Sequence, residues 1–295
     1  MARAAALRQL LDNPGIIVLP GVYDCVGAKL IEQIGFEVVF TSGFGLSGST
    51  LGRPDFGFLT ATEMLYSVGR IAGSVNLPLV ADIDTGYGNP LNVYQVVSEL
   101  VRLDVAGFIL EDQEWPKKCG HFAGKRVIPM SEHVEKIHAA IEARGDSGMV
   151  IIGRTDARAP LGLDEAIRRG QAYEAAGVDV VFVEAPQSLE DLRAIRSAFP
   201  DTHLFANMIE GGRTPLLAAR ELEDLGFKIV VFPLSGLFTA TRAMETCFRH
   251  LKENGTTTGC SAGMTAFEDF EALIGVPCFR DQERQFSIGE SDEAM

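Results

Sequence analysis

Residues 107–121 read GFILEDQEWPKKCGH, and they combine a strand pattern with reactive side chains. Gly107–Leu110 is a short apolar run, as expected for a buried strand. The carboxylates of Glu111 and Asp112 stand where that run ends, so they are candidates for holding a metal. A Trp-Pro pair then breaks regular structure, and the segment ends on KKCGH (117–121). The thiol in this basic setting is expected to ionise more easily than a free one.

Seven further apolar runs of strand length occur along the chain, and helix-like segments separate most of them. The eight runs are Ile16–Val22, Glu37–Gly43, Pro78–Asp84, Gly107–Asp112, Met149–Asp156, Val180–Ala185, His203–Met208 and Lys228–Pro233. The intervening helical patterns are Cys25–Ile34, Thr60–Val75, Pro90–Leu103, Ser131–Arg144, Leu163–Ala176, Leu189–Ala198 and Thr214–Leu225. Apolar strands that alternate with amphipathic helices indicate a parallel sheet covered on both faces. Eight such units predict a closed (β/α)8 TIM-type barrel, with an open doubly wound sheet as the alternative.

The barrel is predicted to span about residues 15–237 of a single domain that covers 1–295. Beyond it, Leu237–Glu253 and Thr265–Leu273 have helical patterns, NGTTTGCSAG (254–263) between them reads as a loop, and residues 275–295 read as a polar tail. This C-terminal extension, 238–295, is longer than closure of a barrel requires. We expect it to pack on a neighbouring subunit or to end in a disordered segment.

Composition indicates an ordinary globular enzyme, with 46% hydrophobic and 22% charged residues. The net charge of −14 argues against nucleic acid or an anionic membrane as the main partner. The five cysteines are widely spaced and form no CxxC pair, which favours a reducing compartment over a disulfide scaffold or zinc site. The N-terminal residues read as a short amphipathic helix and not as a signal peptide, so we expect a cytoplasmic protein.

Polar side chains follow the apolar runs, where the active site of a barrel is built. Asp82 and Asp84 have the spacing that turns two side chains to one side of a strand, and Glu111 follows the next strand. An all-carboxylate cluster favours Mg²⁺, or Mn²⁺ in its place, over zinc. The alternative is a network of salt bridges at the barrel rim.

Arg154 follows the fifth run, where its planar guanidinium could bind a substrate carboxylate or pair with Asp156 or Glu184. Ser42-Gly43 follows the second run and offers a hydroxyl and close backbone N–H groups. By itself this pair is weak evidence for a site.

Five segments resemble the isocitrate lyase/phosphoenolpyruvate mutase superfamily: ADIDTGYG, ILEDQEWPKKCGH, GRTDA, VEAP and ANMIEGGRTP. The resemblance runs from about Gly15 to Phe238, and KKCGH is similar to the gating-loop motif of its carbon–carbon lyase branch. Within that branch the chain resembles the short lyases of the 2-methylisocitrate, dimethylmalate and petal death protein type.

The resemblance implies a role for each matching residue. Cys119 matches the catalytic thiol, and Asp55 matches an acid that supports the Mg²⁺ ligands Asp82, Asp84 and Glu111. The implied substrate-binding residues are Ser42, Gly43, Gly120, His121, Arg154, Glu184 and Asn207, of which Arg154 and Glu184 are also expected to take part in catalysis. Similar proteins are homotetramers that exchange a C-terminal helix, which suits the extension.

The expected activity is Mg²⁺-dependent cleavage of a C–C bond in a small 2-hydroxy or 2-oxo dicarboxylate, with Cys119 as the acid. Hydrolysis of oxaloacetate needs similar enolate stabilisation and is retained as a possibility. The alternative enzyme is a carboxyphosphonoenolpyruvate or phosphoenolpyruvate phosphonomutase, against which Cys119 argues. A barrel that binds a ligand without catalysis is the third interpretation.

Overall fold

The computed structural model describes residues 2–122 and 124–286, and within them eight parallel strands form a closed barrel in chain order. The strands are β1 (Ile17–Val22), β2 (Val39–Thr41), β3 (Leu79–Asp82), β4 (Gly107–Glu111), β5 (Val150–Thr155), β6 (Val180–Val183), β7 (His203–Asn207) and β8 (Ile229–Phe232). β1 pairs with β8 from Ile17 opposite Ile229 to Pro20 opposite Phe232. The predicted (β/α)8 barrel is therefore confirmed, and the open sheet is excluded.

The helices lie between and around the strands. They are α1 (Ala2–Asp12), α2 (Cys25–Ile34), α3 (Gly43–Leu46), α4 (Ala61–Ser74), α5 (Pro90–Arg102), α6 (Met130–Arg144), α7 (Arg158–Leu161), α8 (Leu163–Ala176), α9 (Leu189–Ala198), α10 (Ala219–Asp224), α11 (Ser235–Asn254), α12 (Phe267–Leu273) and α13 (Val276–Phe286). A π-helical turn covers Ser47–Leu51, and 3-10 turns cover Gly145–Ser147 and Ser261–Gly263. The bounds of α2, α8 and α9 are those that the sequence predicts.

Two predicted segments differ from the structure. α10 is shorter than the predicted Thr214–Leu225, because the Leu217 N–H donates to the Met208 sulfur at 3.4 Å and the helix starts only after Ala218. α13 occupies part of the predicted polar tail, and its run of arginine, glutamate and glutamine favours a helix. The rest of that tail, 287–295, lies outside the described residues.

Strand side chains alternate between two faces, and this alternation separates two apolar cores. The outer core packs the barrel against the helices, whereas the inner core fills the barrel. Its inward strand residues include Leu19, Phe40, Val80, Ile109, Ile152, Phe182, Phe205 and Val231. Leu7 and Leu11 of α1 join this inner core and cover the amino-terminal end of the barrel. The interior of the barrel is therefore closed at its amino-terminal end.

The chain divides into two compact units, one up to Phe238 and one from Thr239. The first contains the barrel and ends one residue beyond the predicted limit at 237. The second contains most of α11 together with α12 and α13. Among the described residues, no helix is both long and apolar enough to span a bilayer.

Candidate active site

Six polar residues point into the carboxyl end of the barrel, each two positions beyond an apolar residue of the inner core. They are Ser42, Asp82, Glu111, Arg154, Glu184 and Asn207. Strand alternation explains this direction, because a period of two keeps the side chain on the inward face. Five of them, together with Asp55, Lys117, Cys119 and Gly120, line a cavity of about 40 Å³. Glu111 contacts that set through Arg154, at 3.2 Å.

The two aspartates of the DIDTG segment converge, but not for the predicted reason. β3 ends at Asp82, and Asp84 lies beyond it with φ of +52°, so a shared strand face is wrong. Both carboxylates instead face Gly43, where a Cβ would lie 2.8 Å from Asp84 Oδ1 and 3.4 Å from Asp82 Oδ2. The Gly43 N–H donates to Asp82 Oδ2 at 3.2 Å. Glycine at position 43 therefore lets the backbone approach the acids closely.

Lys117 is the residue of this site that sequence reasoning missed. Its Nζ lies 2.6 Å from Asp55 Oδ1 and 2.5 Å from Asp84 Oδ1, and all three side chains are buried. Burial alone lowers the pKa of Lys117, but the carboxylates of Asp84 and Asp55 outweigh it and raise the pKa well above its ordinary value. Burial also raises the pKa of Asp84 to about 7. These acids thus already hold one cation, an ammonium.

The acid cluster has the donor set of a hard cation. Glu111 Oε1 is buried and has no hydrogen-bond partner among the described residues, and burial raises the pKa of Glu111 well above its usual range. An unpaired buried carboxylate oxygen is costly, and a bound cation would relieve that cost. In residues 2–122 and 124–286, no three acidic, imidazole or thiol groups are arranged as a metal site in this structure. The residue types nonetheless fit Mg²⁺ or Mn²⁺, with the Lys117 ammonium as the stand-in charge.

Arg154 pairs with acids on three sides. Its Nε and one terminal nitrogen donate to Asp156 at 2.9 and 3.1 Å, and it lies 3.2 Å from Glu111 Oε2 and 3.9 Å from Glu184 Oε1. The guanidinium also lies over the Phe182 ring, 5.3 Å from its centroid. The expected pairing with Asp156 and Glu184 is therefore present, and substrate binding by Arg154 stays a prediction.

Glu184 and Asn207 form the opposite side of the cavity. Asn207 Nδ2 donates to both Glu184 carboxylate oxygens, at 3.2 and 3.3 Å. The oxygen of the Asn207 side-chain amide, Oδ1, lacks a hydrogen-bond partner in the part of the chain that the structure describes. An acceptor is thus left over next to the cavity.

The segment after β4 returns over the cavity as a loop. Its two arms pair through an antiparallel bridge between Gln113 and Val127, and the Glu114 N–H donates to the Arg126 carbonyl at 2.9 Å. At the tip, the Cys119 N–H donates to the Asp55 carbonyl at 3.1 Å. The described part of this loop, residues 113–122 and 124–128, is called the covering loop below.

The tip of the covering loop packs directly on the strand-end residues. His121 Nε2 lies 3.2 Å from Glu184 Oε1, and the Arg213 N–H donates to His121 Nδ1 at 2.9 Å. A Cβ on Gly120 would lie 2.2 Å from Glu184 Oε1 and 2.5 Å from an Arg154 nitrogen. Only glycine lets the backbone approach so closely. Gly120 therefore lies against Arg154 and Glu184, and His121 lies against Glu184; the resemblance implies substrate binding for all four residues.

The thiol of Cys119 is harder to ionise than a free one, contrary to the expectation from its basic neighbours. It is 8% exposed, and burial raises its pKa to about 12. The Lys118 side chain does not counteract this, because its ammonium donates to the Gly124 carbonyl at 3.2 Å. The Lys117 ammonium is already paired with Asp55 and Asp84. Desolvation therefore outweighs the basic neighbours, and the cavity contains a neutral S–H group.

Comparison with known proteins agrees with this fold and motif set. The family model described as phosphoenolpyruvate phosphomutase matches residues 7–252. A 2,3-dimethylmalate lyase of Eubacterium barkeri is 42% identical over 98% of this chain and 100% of its own length. A chloroplastic carboxyvinyl-carboxyphosphonate phosphorylmutase of Arabidopsis thaliana is 43% identical over 95% of this chain and 83% of its own.

Solved structures give the same result. An oxaloacetate acetylhydrolase in complex with 3,3-difluorooxalacetate superposes with a TM-score of 0.91 and 34% identity over 96% of both chains. A phosphonopyruvate hydrolase in complex with oxalate and Mg²⁺ has a TM-score of 0.87 and 30% identity over 97% of this chain and 99% of that one. Lyases, hydrolases and mutases thus share the barrel. The chain belongs to the phosphoenolpyruvate mutase/isocitrate lyase superfamily of enzymes.

Proposed function

We propose that the protein is a Mg²⁺-dependent lyase that cleaves a C–C bond in a small 2-hydroxy or 2-oxo dicarboxylate, of the 2-methylisocitrate, dimethylmalate or oxaloacetate type. One observation carries the proposal: the buried thiol of Cys119 lines the same cavity as carboxylates and Arg154, and burial raises the pKa of this thiol to about 12. A neutral S–H can give a proton to a carbanion that leaves when a C–C bond breaks. The lyase and hydrolase names among the relatives support the same reaction class.

Asp82, Asp84 and Glu111 would hold the divalent cation, and Asp55 would support them. When bound, the cation supplies Lewis-acid stabilisation of negative charge on the substrate. The Mg²⁺ of the phosphonopyruvate hydrolase complex supports this choice of metal.

The positions of the side chains support the remaining roles that we propose. Arg154 binds the anionic substrate, since its buried guanidinium lies beside the cavity and presents a planar fork to a carboxylate, whereas the Lys117 ammonium is paired with Asp55 and Asp84. Ser42 and Gly43 lie beside the acids and contact the oxo-acid end. Glu184 and Asn207, with Gly120 and His121 of the covering loop, contact the other fragment and assist Cys119.

The covering loop must move during each cycle. The cavity of about 40 Å³ has room for only a few waters, since one bound water needs roughly 10–15 Å³. A dicarboxylate cannot enter it while Cys119 and Gly120 form its wall. Closure over a bound substrate then excludes water and delivers the thiol.

We also propose a cytoplasmic homotetramer that exchanges C-terminal helices. In the second unit, large apolar side chains are exposed, among them Phe248 at 62%, Phe267 at 79% and Phe286 at 76%. Apolar surface of this kind is expected where another subunit packs. Sedimentation of the intact chain tests this assembly.

A phosphonomutase is the second candidate, because the Arabidopsis relative carries that name and the family model is described as a phosphomutase. The two functions separate in one assay panel: dimethylmalate, 2-methylisocitrate, oxaloacetate and phosphonopyruvate, each with Mg²⁺ and with EDTA. We expect Mg²⁺-dependent product from one of the first three. Isomerisation of phosphonopyruvate to phosphoenolpyruvate, without turnover of the other three acids, would establish the mutase, and no turnover at all would contradict both.

A further inference from the structure

Lys125 is a buried cation that the proposed chemistry does not use. It lies on the returning arm of the covering loop, and its Nζ donates to Asp156 Oδ1 at 2.7 Å. The two side chains are only 1% and 0% exposed. The same ammonium donates to the carbonyl of Gly120, at the tip of the loop beside Cys119. One side chain therefore joins the tip of the loop to the barrel.

Asp156 is fixed on the barrel independently of the loop. Its N–H donates to Asp112 Oδ1 at 2.8 Å, and its carboxylate accepts two hydrogen bonds from Arg154. Burial would raise the pKa of Asp156, but Arg154 and Lys125 lower it below its ordinary value. Asp156 is thus a charged, rigid anchor shared by Arg154 and the loop.

The second lysine of the loop cannot serve as the same kind of anchor. Lys117 contacts Asp55 and Asp84, and Asp84 is one of the acids proposed to hold the metal, so its contacts compete with a bound cation. Lys125 contacts Asp156, which is not one of the acids proposed to hold the metal. If the loop opened and Lys125 moved away, the Asp156 carboxylate would keep its hydrogen bonds from Arg154. The contact of Lys125 with Asp156 therefore remains available when metal and substrate are bound.

We propose that Lys125 is a positioning residue that latches the covering loop closed: its ammonium binds Asp156 and the Gly120 carbonyl and so holds Cys119 over the cavity. The catalytic consequence rests on the proposed function, whereas the latch itself does not. Because Asp156 also orients Arg154, closure of the loop and the position of the substrate-binding guanidinium are coupled through one carboxylate.

The test measures how fast Cys119 is alkylated by iodoacetamide, followed by peptide mass spectrometry, with Cys25 on α2 as an internal reference. Lys125→Met removes the latch and keeps an unbranched side chain. Arg126→Met is the matched control, because it removes the neighbouring cation, which pairs with Glu114 at 2.6 Å on the surface with side chains 74% and 45% exposed. Thermal unfolding of both variants verifies that the barrel is intact.

We expect Cys119 in Lys125→Met to react at least about 10-fold faster than in the wild type, and Arg126→Met to stay within about twofold. Oxalate with Mg²⁺ should slow alkylation in the wild type and much less in Lys125→Met. Equal rates for Lys125→Met and the wild type, with and without oxalate, would overturn the latch. If oxalate fails to protect the wild type while Lys125→Met still reacts faster, the latch holds and the proposed function is weakened.

A double-mutant comparison assigns the effect to Asp156. In an Asp156→Asn background the ammonium has lost its charged partner, so adding Lys125→Met should raise the alkylation rate by less than about threefold. A full additive increase would place the action of Lys125 elsewhere and contradict the latch. With an active substrate, Lys125→Met should lower kcat/KM by roughly 10- to 100-fold, whereas Arg126→Met should not change it.

Discussion

Glu111 and Asp112 are neighbours in sequence, and the barrel turns them in opposite directions. Glu111 points inward, where it has a 3.2 Å contact with Arg154 and an oxygen without a hydrogen-bond partner among the described residues. Asp112 points outward to α8. It accepts hydrogen bonds from Thr155, the Asp156 N–H, Arg169 and Tyr173, at 2.7 to 2.9 Å.

The difference separates a functional acid from a structural one. Four donors compensate the buried charge of Asp112, so this carboxylate ties β4 to β5 and α8. On the inward face, Glu111 has too few hydrogen-bond donors for its buried carboxylate, which costs free energy. Such a cost is expected where a bound ligand supplies the missing partner. Satisfaction of hydrogen bonds, and not acidity alone, therefore identifies which of two adjacent carboxylates belongs to the site.

The largest effect is expected from Glu111→Gln. Loss of a proposed metal ligand should lower Mg²⁺-dependent turnover by at least about 10²-fold. Without metal, the free energy of unfolding should be unchanged or higher, because a poorly compensated buried charge is removed. Mg²⁺ should raise the Tm of the wild type and not that of the variant, as calorimetry would measure. A variant with normal turnover would place Glu111 outside the metal site.

Asp112→Asn should have the reverse profile. It removes one of the two acids that pair with Arg169, while Glu165 at 2.9 Å remains, so we expect a loss of about 1–3 kcal/mol in the free energy of unfolding. Denaturant titration measures this, and the Mg²⁺-induced rise in Tm should persist. A small loss of stability together with a lost Mg²⁺ response would show that the two acids have been assigned the wrong way round.

His133 offers the smallest and most specific test, because it is a buried polar group in the outer layer without a compensating partner. Neither ring nitrogen has a hydrogen-bond partner among residues 2–122 and 124–286, and the ring packs against Tyr173 at a tilt of 55° with centroids 4.5 Å apart. Burial, with Lys136 and Arg169 nearby, lowers the pKa of His133 to about 3. The unfolded chain thus binds an extra proton between about pH 6.5 and pH 3, and stability falls as the pH drops through that range.

His133→Phe keeps the ring contact and removes the proton site. When the pH falls from about 7.5 to about 5, the free energy of unfolding should drop by roughly 2 kcal/mol less in the variant than in the wild type. Denaturant titrations at the two pH values measure this difference. Identical pH dependence in both proteins would mean that His133 is hydrated or paired, and that the outer layer is better satisfied than the contacts indicate.

Much of the fold follows from local patterns. The apolar runs, the helical periodicity and the glycines after the helices place all eight strands, because each signal depends on a few consecutive residues. Alternation also accounts for Arg154 and Glu184, which stand two residues beyond Ile152 and Phe182 of the inner core. The co-location of the site residues is therefore readable in the sequence.

Features that depend on tertiary contacts were not predictable. The two lysines of KKCGH are equivalent in sequence, yet Lys117 turns inward and Lys118 outward. The pKa of Cys119 depends on how deeply the covering loop buries it, which composition does not reveal. Asp84 lies beside Asp82 because of a backbone turn at φ +52° beyond the end of β3, and a turn of this kind could not be predicted from the two-residue spacing.

The most direct test of the whole account is a single-turnover measurement on Cys119→Ser with Mg²⁺ and whichever acid the panel identifies. A serine hydroxyl is a much weaker acid than the thiol, so turnover should fall by roughly 10²–10⁴-fold, the usual contribution of a positioned acid. Oxalate should bind with wild-type affinity, because the inward acids and Arg154 are untouched. A serine variant that turns over at the wild-type rate would contradict the account, since the thiol could then not be the proton donor.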